Sequence, residues 1–227
     1  MSETQREYRW VAIGDVHDDG IDKLGAIPEL SGADGLIITG DLTNIGGARE
    51  ASRVLHAARK HAPVVAAQIG NMDKAEVADL LSTEGINLHA AARLLAPGLA
   101  AIGIGGSTPT PFGTPSEFPE ASYAAWLESC WPEAKKLADQ VLLISHNPPK
   151  NTKCDVIGRG MHVGSEAVRA FIETRQPSLC LCGHIHEARA MDVIGATQVI
   201  NPGNFSAGGY ITLTYAQGRL AADLRML

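Results

Sequence analysis

The residues of this chain that could do chemistry are Asp, Asn and His side chains placed directly after short apolar runs. In chain order they are Asp15, His17, Asp41, Asn71, His146, His184 and His186. A mixed oxygen and nitrogen donor set suits first-row divalent metals such as Mn, Fe, Co, Ni or Zn, and it lacks the thiolates of structural zinc sites. One histidine after a strand is weak evidence for a ligand. The ordered recurrence of such residues is what predicts a metal centre.

Two of these ligand pairs share a spacing of two residues. Asp15 precedes His17, and His184 precedes His186, with one residue between the members of each pair. In an extended segment, side chains two apart point to the same side of the backbone. We therefore expect each pair to converge on one site.

The apolar runs that must position these residues have the length and composition of buried β-strands. The runs are Trp10 to Gly14, Leu36 to Gly40, Val64 to Gly70, Leu99 to Gly106, Val141 to Ser145, Leu179 to Gly183 and Gln198 to Asn201. Between them, apolar residues at a spacing of three and four predict helices over Glu50 to His61, Lys74 to Ser82 and Glu166 to Thr174, the last with Ser165 as N-cap. This alternation predicts an α/β fold, in which ligands bind at the carboxyl ends of the strands.

Three further segments have distinct patterns. Asn87 to Gly105 is apolar but contains Arg93 and Pro97, so it predicts a helix, a turn and a strand instead of a membrane span. Gly105 to Ala121 contains four prolines and is expected to be a loop, either a plain surface loop or a lid or substrate wall. The last segment predicts two antiparallel strands, Tyr210 to Tyr215 and Leu220 to Leu227, whose edge could pair in an oligomer.

Composition excludes some classes of protein. The net charge is -6 and no basic run occurs, which argues against a general binder of nucleic acids or anionic membranes. The polar amino-terminal residues do not form a secretory signal, so we expect a cytoplasmic protein. Residues 1–227 are expected to form one domain. The cysteines show no disulfide-rich spacing and are expected to be buried small hydrophobes instead of metal ligands: Cys130, Cys154, Cys180 and Cys182.

Together the motifs resemble those of a known family. The pattern is Asp15-x-His17, Gly40-Asp41-x-x-Asn44, Gly70-Asn71-x-Asp73, His146 and Gly183-His184-x-His186. It resembles the calcineurin-like metallophosphoesterase superfamily. Two further stretches, Gly105 to Phe112 and His162 to Ser165, are similar to small prokaryotic phosphoesterases related to cyclic-nucleotide phosphodiesterases. The resemblance implies a four-layer α/β/β/α sandwich with mixed sheets and two divalent metal ions at the carboxyl ends of the strands.

The resemblance also implies roles for individual residues. One metal would be bound by Asp15, His17 and His186, the other by Asn71, His146 and His184, and Asp41 would bridge them. Asn44 and Asp73 would orient ligands by hydrogen bonds, although either could instead be a helix N-cap. Hydrolysis would use a metal-bridging hydroxide, and no Gly-x-Ser-x-Gly elbow or Walker phosphate loop is present.

One position departs from the family pattern. Many members carry a histidine after the Asn of the third motif, where it contacts the substrate and can protonate the leaving oxygen, whereas this chain has Met72. A thioether donates no proton. Either the natural ester has an acidic leaving group, or another residue substitutes, for which His162 is the candidate. The alternative is that His162 is an ordinary surface residue.

These observations lead to two functional hypotheses. The first is an enzyme that hydrolyses phosphodiesters or phosphomonoesters of small molecules. The second is a protein-interaction scaffold that keeps the fold but has weak or no catalysis. A nuclease acting on long nucleic acids is disfavoured because the sequence contains neither a basic track nor a stacking platform.

Overall fold

The computed structural model describes residues 6–227, which form β-sheets and flanking helices. The strands are β1 (Tyr8–Ile13), β2 (Gly35–Ile38), β3 (Val65–Ala67), β4 (Ala91–Ala96), β5 (Leu99–Ile104), β6 (Gln140–Ser145), β7 (Val156–Ile157), β8 (Met161–His162), β9 (Leu179–Leu181), β10 (Ala190–Ile194), β11 (Thr197–Asn201), β12 (Gly209–Ala216) and β13 (Arg219–Met226). The α-helices are α1 (Ala48–Ala58), α2 (Ala75–Thr83), α3 (Glu120–Leu137) and α4 (Glu166–Arg175). Short 3-10 turns and loops connect them.

Both large sheets are mixed. The first has the order β13-β12-β1-β2-β3, in which β1, β2 and β3 are parallel and β12 is antiparallel to both of its neighbours, β1 and β13. The second has the order β10-β11-β9-β6-β5-β4, with parallel central strands and antiparallel strands at both edges. The parallel strands of each sheet therefore end along one common edge.

The central strands are buried on both faces, as their apolar composition predicts. Along β1, Val11 and Ile13 pack with α1 and α2, while Trp10 and Ala12 pack against the second sheet. On the far face of the second sheet, α3 and α4 cover a third cluster of buried residues. Three apolar clusters therefore lie between four layers: one pair of helices, the first sheet, the second sheet and the other pair of helices. The predicted α/β/β/α sandwich is confirmed.

The predicted helix within Asn87 to Gly105 is wrong. This segment forms β4, a turn at Pro97-Gly98, and β5, paired as an antiparallel hairpin. Gly98 has a φ of 88°, a conformation that glycine adopts without strain. Ala, Leu and Arg favour helices locally, but pairing with β5 satisfies the backbone at the edge of the second sheet, and that tertiary context decides.

The other predicted helices and the carboxyl-terminal hairpin are confirmed, including the N-cap: Ser165 Oγ accepts a hydrogen bond from the Val168 amide at 3.1 Å. Helix α3, strand β10 and the short hairpin of β7 and β8 were not predicted. Within residues 6–227 every cysteine is buried and free of disulfides. No helix in this described range is both long enough and apolar enough to span a membrane.

Candidate metal centre

The carboxyl ends of the parallel strands bring the predicted ligands together. Strands β1, β2 and β3 lead into Asp15, Asp41 and Asn71, and β6 and β9 lead into His146 and His184. The site therefore forms between the two sheets, with donors from both.

The side chains form two compact groups. Asp15, His17 and His186 have donor atoms within 4.8 Å of one another, and Asp41, His146 and His184 form a second such group. In the first, His17 Nε2 lies 3.1 Å from His186 Nε2. In the second, His146 Nε2 lies 3.1 Å from Asn71 Oδ1, which adds the amide oxygen to the set.

Asp41 belongs to the second group and also lies beside the first. Its Oδ2 is 3.6 Å from His17 Nε2 and 3.4 Å from His146 Nε2. Its Oδ1 accepts a hydrogen bond from the Met72 amide at 2.8 Å, which orients the carboxylate. This is the position expected for a ligand shared by two ions.

The expectation that each closely spaced pair converges through an extended backbone is wrong. Asp15, His17 and His184 have left-handed φ values of 53°, 51° and 68°, so the backbone turns tightly after each strand. Asp15 and His17 still meet in one group, but His184 and His186 lie in different groups. The turn after β9 splits the second pair, because alternation holds only while the backbone stays extended.

Two glycines leave the space that the ligands occupy. A Cβ at Gly70 would lie 2.1 Å from Asp41 Oδ1, and a Cβ at Gly40 would lie 2.4 Å from His146 Nδ1. Any larger residue would displace a donor. The space that Gly40 and Gly70 leave beside the ligands, together with the convergence of carboxylate, amide and imidazole atoms, fits a pair of divalent cations.

The charges of the site favour a bound cation. Burial opposes protonation of His146, yet the adjacent Asp41 carboxylate raises the pKa of His146 to about 9. Burial would raise the pKa of Asp41, but His146 lowers it overall. Burial lowers the pKa of His184 to about 4, which keeps that imidazole neutral, the form in which it binds metals. The buried carboxylates thus attract positive charge despite burial.

Asp73 and Asn44 are not helix N-caps, because those positions are Lys74 for α2 and Gly47 for α1. Asp73 is buried and accepts hydrogen bonds from the amides of Leu42, Thr43 and Gly70 at 3.1, 2.8 and 2.9 Å. Burial and the nearby Asp41 raise the pKa of Asp73 to about 7, while these donors oppose that rise. Asp73 therefore ties the loop after β2 to the turn after β3.

Asn44 lies further out. Its side chain is exposed and lines the cavity beside the ligands, and its amide donates to Asp18 Oδ2 at 3.0 Å.

The residues that hold Asn71 were missed in the sequence. Asn71 Nδ2 donates to Thr114 Oγ1 at 3.1 Å, and that hydroxyl donates to Glu117 Oε1 at 2.7 Å. Hydrogen bonds from Thr110 and Thr114 overcome partial desolvation and lower the pKa of Glu117 to about 2. The only signal in the sequence was the clustering of Thr and Glu residues in a proline-rich loop. The contact with Asn71, which lies far away in the chain, is visible only in the tertiary structure.

The same loop forms a wall of the cavity. Residues 108–115 line a space of about 880 Å³ that opens beside the two groups of ligands. The loop is therefore a wall of this cavity and more than a plain surface loop; whether it contacts a substrate stays a prediction.

His162 lies at the end of the β7–β8 hairpin, outside the cavity lining. Its Nδ1 is 2.7 Å from Asp155 Oδ1, and Asp155 is fully buried. The neighbouring Val163 does line the cavity. The role suggested for His162 stays a prediction.

A family model described as calcineurin-like phosphoesterase matches residues 8–188. The chain belongs to the calcineurin-like phosphoesterase family. The matched range contains every candidate ligand of both groups. The uncharacterized protein MJ1162 of Methanocaldococcus jannaschii is 36% identical over 174 residues, which cover 75% of this chain and 77% of that protein.

Solved structures share the fold of this phosphoesterase family member. The protein TT1561 of Thermus thermophilus superposes with a TM-score of 0.70 at 20% identity, covering 96% of this chain and 99% of that chain. A dimetal phosphatase from Danio rerio superposes with a TM-score of 0.58 at 13% identity, covering 95% and 98%. Family membership supports phosphoester hydrolysis as the general activity.

Proposed function

We propose that this chain is a binuclear metal-dependent phosphoesterase that hydrolyses phosphodiesters or phosphomonoesters of small molecules. The observation that carries this proposal is the placement of Asp41 Oδ2 between two groups of candidate ligands. We assign Asp15, His17 and His186 to one ion and Asn71, His146 and His184 to the other, with Asp41 shared.

The ions would be Mn, Fe, Zn, Ni or Co, since the donors are carboxylate, amide and imidazole. When bound, two such ions supply a hydroxide near neutral pH and offset the charge that develops on the phosphoryl oxygens. The chain itself holds the donors in place: Asp73 fixes the loop of Asp41, and Thr114 fixes the amide of Asn71. We assign to Asn44, which is exposed and lines the cavity, a contact with the bound ester.

The cavity supports a small-molecule substrate. Its volume of about 880 Å³ lies within the range of small-molecule sites. Among the described residues, the lining contains neither Lys nor Arg, which a nucleic-acid backbone would require. Free, buried cysteines are in keeping with the reducing cytoplasm that we expect as the location.

The test combines metal analysis with turnover. Protein purified with added manganese should contain two ions per chain and hydrolyse bis-p-nitrophenyl phosphate or p-nitrophenyl phosphate. Asp41→Asn should reduce kcat/KM by at least about a hundredfold, because the ligand between the groups loses its charge. Asp79→Asn, on the exposed face of α2, is the matched control.

Two other outcomes are informative. Bound metal without turnover of either ester would favour the scaffold hypothesis, which Met72 supports because no proton donor stands at that position. A chain that binds no divalent ion would overturn the proposal.

The suggested role of His162 has its own test. If His162 protonates the leaving group, His162→Ala should slow alkyl esters about a hundredfold or more and nitrophenyl esters much less, because nitrophenolate leaves without a proton. Equal effects on both would reject the role.

A further inference from the structure

The cavity beside the metal centre has mostly apolar walls. Ile45, Met72, Phe112, Ile157 and Val163 line it, together with prolines of the 108–115 segment. These side chains offer no hydrogen bonds to a sugar, a base or a second phosphate. The hydroxyls of Thr108, Thr110 and Thr114 also line the cavity, but they already form hydrogen bonds with Asn147 or Glu117. The apolar side chains would instead bind a group that gains by leaving water.

The charges of the lining point the same way. Apart from histidines, the charged residues that line the cavity within residues 6–227 are Asp41 and Glu187, both acidic. A polyphosphate chain or a carboxylate would meet no cation there other than bound metal. The cavity therefore suits an ester with one phosphoryl group at the metal centre and an uncharged remainder.

Ile45 is held in an unfavourable conformation at this wall. Its φ is 59°, a left-handed conformation in which a β-branched residue is strained. Burial does not compensate, because its side chain is 53% exposed. Asn or Gly would be more stable here, so stability does not explain an isoleucine. Strain at a cavity wall points to a role in binding.

Phe112 is a second apolar side chain that the folded core does not use. It is 86% exposed at the cavity, between Pro111 and Gly113. Its loop is nevertheless ordered by Glu117, which accepts hydrogen bonds from Thr110 Oγ1 and the Thr114 amide at 2.6 and 2.7 Å. A fixed loop that displays an aromatic ring provides a surface for another apolar group.

We propose that the substrates are phosphoesters whose organic part is apolar and uncharged, bound against Ile45 and Phe112. This inference rests on the proposed function, because it places the phosphoryl group at the metal centre. It distinguishes esters of hydrophobic alcohols from nucleotides and from sugar phosphates.

The test uses mixed diesters that share one leaving group. The manganese-loaded enzyme is given p-nitrophenyl diesters whose second substituent is methyl, 1-naphthyl or thymidine 5′-yl. Nitrophenolate leaves in every case, and each kcat/KM is divided by the rate of alkaline hydrolysis of the same ester, so that the remaining differences report on the cavity. We expect the naphthyl ester to exceed the methyl ester by at least about tenfold, as burial of an aromatic ring would give, and to exceed the thymidine ester.

Variants assign the preference to this wall. Phe112→Ala and Ile45→Asn should each lower the naphthyl-to-methyl ratio several-fold, and Ile45→Asn should also raise the Tm, because Asn tolerates a left-handed φ. Leu94→Ala, which truncates an exposed leucine on β4, is the control and should keep the ratio. If Ile45→Asn has a higher Tm and a lower naphthyl-to-methyl ratio, a loss of stability cannot explain the lower ratio.

A binding measurement tests this inference independently of the proposed function. Calorimetry should show that 1-naphthylphosphonate binds the manganese-loaded protein more tightly than methylphosphonate, whether or not esters turn over. Turnover of all esters at equal kcat/KM, or a preference for the thymidine ester, would overturn the inference and leave the phosphoesterase intact. Tighter naphthylphosphonate binding without turnover would reject catalysis but keep the apolar site.

Discussion

Asn71 shows how single residues around the centre are oriented. An amide can present either oxygen or nitrogen to a neighbour, and only its hydrogen bonds decide which. Thr114 accepts from Nδ2 because its own hydroxyl is committed to Glu117. The amide oxygen is thereby turned toward His146, where a cation would lie.

Thr114→Val should weaken metal binding. The substitution keeps the shape of the side chain but removes the acceptor for Asn71 Nδ2, and loss of such an orienting partner typically costs about tenfold to a hundredfold in metal affinity. Manganese titration calorimetry measures the effect. Thr114→Ser restores the hydroxyl and should recover most of the affinity; unchanged affinity in Thr114→Val would show that the amide is oriented without this bond.

Among the elements, the β4–β5 hairpin and α3 meet at His89. The ring accepts a hydrogen bond from the Gly105 amide on Nδ1 at 3.0 Å and packs against Phe118 and Trp126. Burial lowers the pKa of His89 to about 4. The folded hairpin therefore keeps this imidazole neutral where an unfolded chain would protonate it.

Because of His89, the free energy of unfolding should fall as the pH is lowered. Above the unfolded pKa of 6.5 both states are neutral; below it only the unfolded state gains the proton, until the folded pKa of about 4 is reached. The full effect is up to about 3 kcal/mol. Urea unfolding between pH 7 and 4.5 should show a flatter pH dependence for His89→Gln than for the parent.

The control is His56→Gln, because it removes an exposed histidine and should leave the pH dependence of unfolding close to that of the parent. Equal pH slopes for the parent and His89→Gln would mean that His89 titrates normally in the folded chain.

At the scale of the whole molecule, the centre joins the two sheets. Asp15, Asp41 and Asn71 follow strands of the first sheet, and His146 and His184 follow strands of the second. The inter-sheet core, which includes Ile37, Leu142 and Leu181, sets their separation. Bound ions would therefore stabilise the packing of one sheet on the other.

Metal removal should lower the Tm. A ligand at a hundred times its Kd stabilises the folded state by about 2.7 kcal/mol, which for a domain of this size corresponds to roughly 5 to 10 °C. Calorimetric melting with manganese and after chelation measures the shift. His184→Ala, which removes a donor from one of the two groups, should show a smaller change of Tm on chelation than the parent. An unchanged Tm of the parent protein after chelation would contradict metal binding between the sheets.

Residue types and their order were sufficient to predict the buried central strands, most helices, the family fold and the candidate ligands that the structure brings together. Buried strands and the polar motifs at their carboxyl ends are local patterns in the sequence. The order of these motifs along the chain is specific to one family. Local patterns failed where distant contacts compete: Asn87 to Gly105 pairs as a hairpin although its residues favour a helix, and the left-handed turn at His184 separates it from His186.

The tertiary structure alone decided that Asn71 presents its amide oxygen to the site, which residues orient that amide and which loop forms the wall of the cavity. These features depend on distances between residues far apart in the chain, such as Asn71 and Thr114. A sequence states which groups are available. Packing of the two sheets determines which of them meet, because their carboxyl ends converge only once the core between them is formed.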